Sequence, residues 1–234
     1  MQLLKRPGGE LASRPLHFIW IADCSGSMSG EKIQQLNFAI REAIPHMRTV
    51  ADENPNAEVL VRALKFSTGA QWHIASPTKV SDFEWKDLQA DGVTDMGKAL
   101  KMVAEQLKMP PMSERALPPV LVLVSDGQPT DDFDEGLQAL LALPWGKKAV
   151  KIAIAIGEDA DTEVLQQFMG SNSELKPLQA NNAEQLVNYI KWASTAVLKA
   201  ASSPASQTAP LPQGVNVPVP TPPTANINSA DDVW

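Results

Sequence analysis

The chain alternates between short, almost wholly apolar runs and longer stretches in which apolar residues recur at helical spacing. The first run, "LHFIWIA" at residues 16–22, is rich in β-formers and predicts a strand buried on both faces. From Ser29 the period changes, because the apolar residues between Ile33 and Ile44 fall on one helical stripe. This pattern predicts a helix that begins just after Ser29, with Ser29 as its N-cap.

The same alternation continues to residue 198. Further strands are predicted at 57–66, 118–125 and 149–156, and helices at 96–107, 135–143, 162–169 and 182–198. Residues 70–76 follow a glycine-containing turn and predict a short antiparallel edge strand. Strands that alternate with helices imply right-handed crossovers. The predicted fold is therefore α/β: a Rossmann-like, doubly wound, mostly parallel sheet with helices on both faces and one short antiparallel edge strand.

The composition changes after Lys199. Residues 200–230 contain seven prolines and no charged side chain, which predicts a flexible tail that adds nothing to the core. We therefore divide the chain into an N-terminal extension (1–13), an α/β domain (14–199) and a proline-rich tail (200–234). Two acids and a tryptophan return within residues 226–234, which indicates a docking peptide, the alternative being an incidental terminus.

Charge and composition narrow the classes of partner. The formal net charge is −7 and the pI about 5.0, which argues against a nucleic-acid partner because phosphates attract basic surfaces. No stretch approaches the roughly 20 apolar residues that span a bilayer. Cys24 is the only cysteine, and the first residues lack the apolar core of a signal peptide. We expect a cytoplasmic protein that neither crosses nor binds a membrane.

Compact oxygen ligands follow the predicted strands at three places. Asp23, Ser25 and Ser27 lie in "DCSGSMSG" after the first strand, Thr94 precedes the helix at 96–107, and Asp126 follows the strand at 118–125. Ligands in such sheets bind at the carboxyl ends of the strands. All-oxygen ligation favours Mg²⁺, with Mn²⁺ or Ca²⁺ as alternatives, and disfavours zinc. Two carboxylates only neutralise the ion, so it still attracts an outside carboxylate. The alternative is that these residues are ordinary helix caps and turns.

"DCSGSMSG", "GVTD" and "LVSDGQPTDD" together resemble the metal-ion-dependent adhesion site of von Willebrand factor A domains. "SDGQPTDD" and "AIAIGEDADTEVL" are similar to the bacterial TerY-like branch, which is associated with tellurium resistance and stress responses. The resemblance implies that Asp23, Ser25, Ser27, Thr94 and Asp126 hold a metal that recruits an acidic residue of a protein partner, without catalysis.

The TerY-like branch further implies a protein kinase and a PP2C-type phosphatase as partners. One departure from the family pattern is Asp95, an additional acid beside Thr94, which we expect to face outward on the first turn of its helix.

The competing hypothesis is a metal-dependent phosphotransfer or hydrolytic enzyme that uses Asp23. A haloacid-dehalogenase site would need an aspartate where Ser25 stands, and a serine-hydrolase elbow would need its nucleophile where Met28 stands. A receiver-type phosphoacceptor would need a lysine after the strand at 149–156, where Gly157 and Glu158 follow. The pattern therefore favours a binding protein over an enzyme.

Overall fold

One six-stranded sheet forms the centre of the protein, in a computed structural model that describes residues 13–158, 160–170, 173–203 and 217–224. The strand order is β3-β2-β1-β4-β5-β6. In chain order the strands are β1 (Arg14–Asp23), β2 (Ala57–Ser67), β3 (Gly69–Lys79), β4 (Val120–Ser125), β5 (Val150–Ile156) and β6 (Leu178–Ala180). Only β3 runs antiparallel to its neighbour.

Helices cover both faces of this sheet. They are α1 (Glu31–Asp52), α2 (Met96–Gln106), α3 (Phe133–Leu141), α4 (Pro144–Lys148), α5 (Thr162–Met169), α6 (Ala183–Trp192) and α7 (Leu198–Ser202), with a π-helical segment (Ala193–Val197) joining the last two. None of the helices within the described residues has the length and apolar content required to cross a bilayer.

Alternate side chains of β1 contribute to two separate hydrophobic clusters. Phe18 and Trp20 are fully buried on the face covered by α1 and α6. Ile19 and Ile21 are buried on the opposite face, with α2, α3 and α5. A strand enclosed on both faces is apolar at nearly every position, which accounts for the run at residues 16–22, where His17 is the one polar side chain.

The order of the strands in the sheet reverses between β1 and β4. The strand β1 pairs in parallel with β2 on one side and with β4 on the other, with Ala22 opposite Val124. The carboxyl ends of β1 and β4 therefore lie side by side, and a crevice opens there because the following segments diverge to opposite faces.

The predicted fold class is confirmed, with differences in local detail. The helix α1 begins at Glu31 and is preceded by Gly30, which has a φ of 80°. Ser29 is not its cap, because residues Gly26–Met28 form a 3-10 turn that the Ser29 N–H closes onto the Gly26 carbonyl. The antiparallel strand β3 extends to Lys79, beyond the predicted 70–76. Neither β6 nor α4 was predicted, since such short elements show no periodicity.

The C-terminal region also differs from the prediction of a tail without core contacts. The helix α7 continues to Ser202, and Ala201 is fully buried. Further along, Val217 is only 5% exposed and belongs to the cluster on the α1 and α6 face. The proposed docking peptide at 226–234 lies outside the described residues.

His17 on β1 makes the stability of the fold sensitive to pH. Burial, reinforced by the nearby Arg62 charge, lowers the pKa of His17 to about 4. Between pH 6.5 and about 4 the unfolded chain binds this proton and the folded chain does not, so stability falls as the pH falls. We expect a loss of about 3 kcal/mol across this window from His17 alone, at about 1.4 kcal/mol per pKa unit.

Urea unfolding of the wild type and of His17→Gln at pH 7 and pH 4.5 measures this contribution. The variant should lose less stability than the wild type over the interval. His46→Gln, at an exposed position on α1, provides the control. Identical pH dependence in the wild type and His17→Gln would contradict the assignment.

Candidate functional site

Asp23 and Asp126 stand at the two strand ends that flank the crevice. Asp23 is the last residue of β1 and is fully buried. One of its carboxylate oxygens accepts a hydrogen bond from the Ser25 N–H at 2.8 Å, and the other accepts from the Ser125 hydroxyl at 2.5 Å. These bonds fix the direction of the Asp23 carboxylate.

The environment of Asp23 opposes its ionisation. Burial is the main cause that raises the pKa of Asp23, and the negative charge of Asp126 raises it further, while the bonds from Ser125 and Ser25 act in the opposite direction. Two carboxylates held at one crevice repel each other, and a cation placed between them would relieve this repulsion.

The serine hydroxyls link the two strand ends. The Ser25 and Ser27 hydroxyl oxygens lie 3.0 Å apart, and the Ser27 hydroxyl donates to Asp126 Oδ1 at 2.8 Å. This places Asp23, Ser25, Ser27 and Asp126 in one continuous hydrogen-bonded chain. Ser27 lies within the 3-10 turn Gly26–Met28, and Ser25 directly precedes it, so the two hydroxyls are close together at the end of β1.

The second oxygen of Asp126 is bound by a lysine. Lys32 Nζ donates to Asp126 Oδ2 at 2.6 Å, and the Asp126 side chain has no exposed surface. Lys32 lies on the first turn of α1, directly after the serine loop. Its ammonium group therefore supplies the positive charge that compensates Asp126 in this arrangement.

Thr94 reaches the same crevice from a third loop. A Cβ atom placed on Gly127 would lie 3.4 Å from the Thr94 hydroxyl oxygen and 3.8 Å from that of Ser27, so both hydroxyls face one small space. Two backbone bonds join the loops, since Gly26 N–H donates to Gly92 C=O at 2.9 Å and Thr130 N–H donates to Thr94 C=O at 2.9 Å. The structure thus brings together all five sequence-predicted residues.

Asp95 differs from the expectation that it faces outward. The residue is only 6% exposed, and one carboxylate oxygen accepts bonds from the Gly69 N–H at 2.7 Å and from Lys98 Nζ at 2.6 Å. The hydrogen bond from Lys98 is the main reason that the pKa of Asp95 lies below its usual range. Asp95 thus ties the loop to the β2–β3 turn.

Helix α1 anchors the irregular segment that carries Thr94. The buried Asn37 side chain accepts from Trp85 Nε1 and the Leu88 N–H, and it donates to the Leu88 carbonyl at 2.9 Å. Arg48, farther along α1, donates to the carbonyls of Val80 and Phe83. These bonds satisfy buried groups of residues 80–88, so that the segment is held without regular structure.

The loops that carry Thr94 and Asp126 are also held together by the contact between α2 and α3. Asp131 lies after β4, but its carboxylate accepts bonds from the Gly97 and Lys98 N–H groups at 2.8 Å each, at the start of α2. A Cβ atom on Gly97 would lie 2.1 Å from the Asp132 carbonyl oxygen, and one on Gly136 would lie 2.3 Å from the Gly97 oxygen. The two helices touch backbone to backbone, which only glycine permits.

Sequence reasoning missed several residues that support the site. Asn37 had a detectable signal, because it is a polar residue four positions after Ile33 on the apolar stripe of α1. Ser125 and Lys32 had none, since the first reads as the end of a strand and the second as a solvated lysine on a helix.

The donor set suits a hard divalent cation. Carboxylate and hydroxyl oxygens converge on the crevice, and the space beside Gly127 is bounded by hydroxyls. Within the described ranges, no three His, Cys, Asp or Glu side chains come together as a metal-binding group. A metal here would therefore be held by Asp23 and Asp126 with hydroxyls of Ser25, Ser27 and Thr94, the chemistry that Mg²⁺ accepts.

Comparison with known proteins gives one family and several similar folds. The sequence model of the von Willebrand factor type A domain matches residues 19–191. The ArnB paralog VWA2 from Sulfolobus acidocaldarius is 22% identical with a TM-score of 0.56, over 76% of this chain and 44% of that one. Proximal thread matrix protein 1 from the mussel byssus, with a zinc-occupied MIDAS motif, is 19% identical with a TM-score of 0.58, over 80% and 48%.

The PilB minor pilin from Streptococcus sanguinis is 14% identical with a TM-score of 0.60, over 84% of this chain and 64% of the pilin. The chain thus spans between 44% and 64% of the length of these three structures. No curated protein sequence matches this chain.

Proposed function

Because the chain belongs to the von Willebrand factor type A family, we propose that it is a metal-dependent protein-interaction module whose ion is held by Asp23, Ser25, Ser27, Thr94 and Asp126. A metal held by these residues would attract a carboxylate supplied by a partner protein. When bound, the metal contributes electrostatic attraction for that carboxylate and no further chemistry. Asp23 and Asp126 supply the charge, while the three hydroxyls orient the site.

One observation carries this proposal. The hydrogen-bonded chain from Asp23 through Ser25 and Ser27 to Asp126 lies at the crevice between β1 and β4, with the Thr94 hydroxyl facing the same space. Val93, directly before Thr94, is 46% exposed and offers an apolar contact beside the site. A partner that presents an acidic residue next to an apolar one fits this surface.

The choice of ion is part of the proposal. Oxygen ligands favour Mg²⁺, with Mn²⁺ and Ca²⁺ as alternatives. The mussel thread protein carries zinc in its corresponding motif, so competition between Mg²⁺ and Zn²⁺ must be measured. We propose in addition a cytoplasmic role as a scaffold in a bacterial stress response of the TerY-like type, with a protein kinase and a PP2C-type phosphatase as partners, on the basis of the sequence resemblance alone.

Affinity capture tests the function. Immobilised wild-type protein is exposed to a cell extract in Mg²⁺, and bound proteins are eluted with EDTA and identified. Asp23→Ala should capture none of the proteins that EDTA releases from the wild type. A captured protein must then bind in purified form and lose binding when its own acidic residue is replaced. Capture that persists in EDTA and in Asp23→Ala would overturn the proposal.

The enzyme alternative can be tested separately. Asp23 is fully buried and both of its carboxylate oxygens accept hydrogen bonds, an arrangement that suits a fixed ligand better than a nucleophile. We therefore expect no covalent phosphorylation when the protein is incubated with acetyl phosphate and Mg²⁺. A phosphoryl group detected on Asp23 by intact-mass and peptide analysis would favour phosphotransfer instead.

Replacing Lys32 should strengthen metal binding. The Lys32 ammonium occupies Asp126 Oδ2 at 2.6 Å, so an incoming cation must displace it or share the oxygen with it. Lys32→Met keeps the length of the side chain and removes the competing charge. We expect the Mg²⁺ affinity to rise about tenfold, equivalent to about 1.4 kcal/mol.

Calorimetric titration with Mg²⁺ measures this change. Lys98→Met is the matched control, because Lys98 pairs with Asp95 at the same 2.6 Å distance but outside the site. A weaker affinity in Lys32→Met than in the control would mean that Lys32 supports the site and does not compete with the ion.

A further inference from the structure

Residues 217–224, which we name the strap, lie against the domain although α7 ends at Ser202. Val217 is 5% exposed within the cluster on the α1 and α6 face, and Val219 packs against the same cluster. Pro223 and Thr224 line a small recess beside α6 together with Gln185 and Tyr189. The strap therefore covers a groove. We define this groove as the surface of α6 at Gln185 and Tyr189 together with the part of the cluster that packs against Val217 and Val219.

Side chains hold the strap in place. Within the described parts of the chain, residues 217–224 make no hydrogen bond to the domain. Prolines occupy positions 218, 220, 222 and 223, and each of them lacks the N–H that a sheet ladder would require. Such a segment does not extend the sheet, and its attachment depends on apolar contacts.

The groove has the features of a site for extended proline-rich peptides. Tyr189 is 5% exposed and lines the same recess as Pro223, and aromatic side chains form the usual surface for polyproline segments. Asn188 and Gln185 flank the recess with polar groups. A proline-rich peptide loses little conformational entropy on docking, because its free state is already extended.

We propose that this groove is a peptide-binding site and that the strap is its tethered ligand, docking and undocking while the domain stays folded. Residues 204–216 connect the strap to α7. A tether of this length gives the strap an effective concentration at the groove in the millimolar range. Even if the groove binds its ligand weakly, the chain's own strap therefore fills it. An external extended, proline-rich segment binds once the strap is released. This inference does not depend on the metal site.

The test uses the full chain with a labelled synthetic peptide of residues 216–225. In the strap variant, Val217→Asp with Val219→Asp, the strap should leave the groove because a carboxylate cannot enter the apolar cluster. Fluorescence anisotropy should show the peptide binding to the strap variant at least about tenfold more tightly than to the wild type, since the tethered strap competes at millimolar concentration. Thr221→Asp, at an exposed strap position, should behave as the wild type does.

A peptide that itself carries the Val217→Asp change should bind neither protein. Equal affinity for the wild type and the strap variant, or no binding to a folded strap variant, would overturn the proposal. If the double change unfolds the domain, as seen by circular dichroism, the strap is an integral part of the core and the proposal fails, unless Val219→Asp alone stays folded and binds the peptide.

Discussion

Replacing Asp126 by alanine is expected to abolish metal-dependent partner capture and to lower the Mg²⁺ affinity by about 100-fold or more, since loss even of groups that only orient metal ligands lowers affinity 10- to 100-fold. Asp126 is one of two carboxylates at the crevice, and its side chain is fully enclosed. The fold should survive, because the change also removes a charge that raises the pKa of Asp23. Lys32, whose side chain is 21% exposed, can turn to solvent.

Calorimetric titration of Asp126→Ala with Mg²⁺ measures the affinity, and thermal unfolding shows whether the fold is intact. Asp134→Ala provides the control, since Asp134 is an exposed acid on the first turn of α3. An unchanged Mg²⁺ affinity in a folded Asp126→Ala protein would show that the metal site has been assigned to the wrong residues.

The second large effect is expected from Gly97→Ala in α2. The added methyl group would stand 2.1 Å from the Asp132 carbonyl oxygen, so the backbone of α3 must move away. Forcing an atom into such a contact destabilises proteins by about 3 kcal/mol, which corresponds to a fall of about 10 °C in the Tm of a domain this size. The displacement also separates Thr94 from Asp126, so the Mg²⁺ affinity should fall with the stability.

Lys101→Ala is the informative control for this variant. Lys101 pairs with Glu135 across the same two helices at 2.5 Å, with both side chains largely exposed. Exposed ion pairs contribute only about 0–1 kcal/mol, so Lys101→Ala should change the Tm by little. If the two variants unfolded at the same temperature, the backbone contact at Gly97 would not be what holds the helices together.

The site residues that were predicted from sequence belong to local patterns at the ends of strands, whereas the unpredicted features depend on contacts between distant parts of the chain. Asp23, Ser25 and Ser27 form a local pattern after an apolar run, and the parallel sheet then places Asp126 beside them. The direction of Asp95 could not be predicted, because it depends on a bond to Gly69, which is brought close only by the β2–β3 turn.

The strap shows a similar limit at the other end of the chain. Composition places the start of the tail at residue 200, whereas α7 continues to Ser202. Burial of Val217 could not be predicted either, because it depends on a groove formed by distant elements. The role of Gly97 in α2 and Gly136 in α3 could not be predicted either, because their close contact exists only when the two helices pack together. Local patterns therefore predict elements and candidate residues, whereas the contacts between elements require the folded chain.

The neighbouring positions of β1 and β4 have a consequence for synthesis of the protein. The bond between Asp23 and Ser125 joins residues separated by 102 positions, so the backbone groups along one edge of β1 have no partner until β4 has been translated. At roughly 5–20 residues per second, ribosomes need about 5–20 s to make that interval. An apolar strand with an unpaired backbone edge is prone to aggregation. The nascent chain should therefore engage holdase chaperones through β1 and release them when β4 inserts.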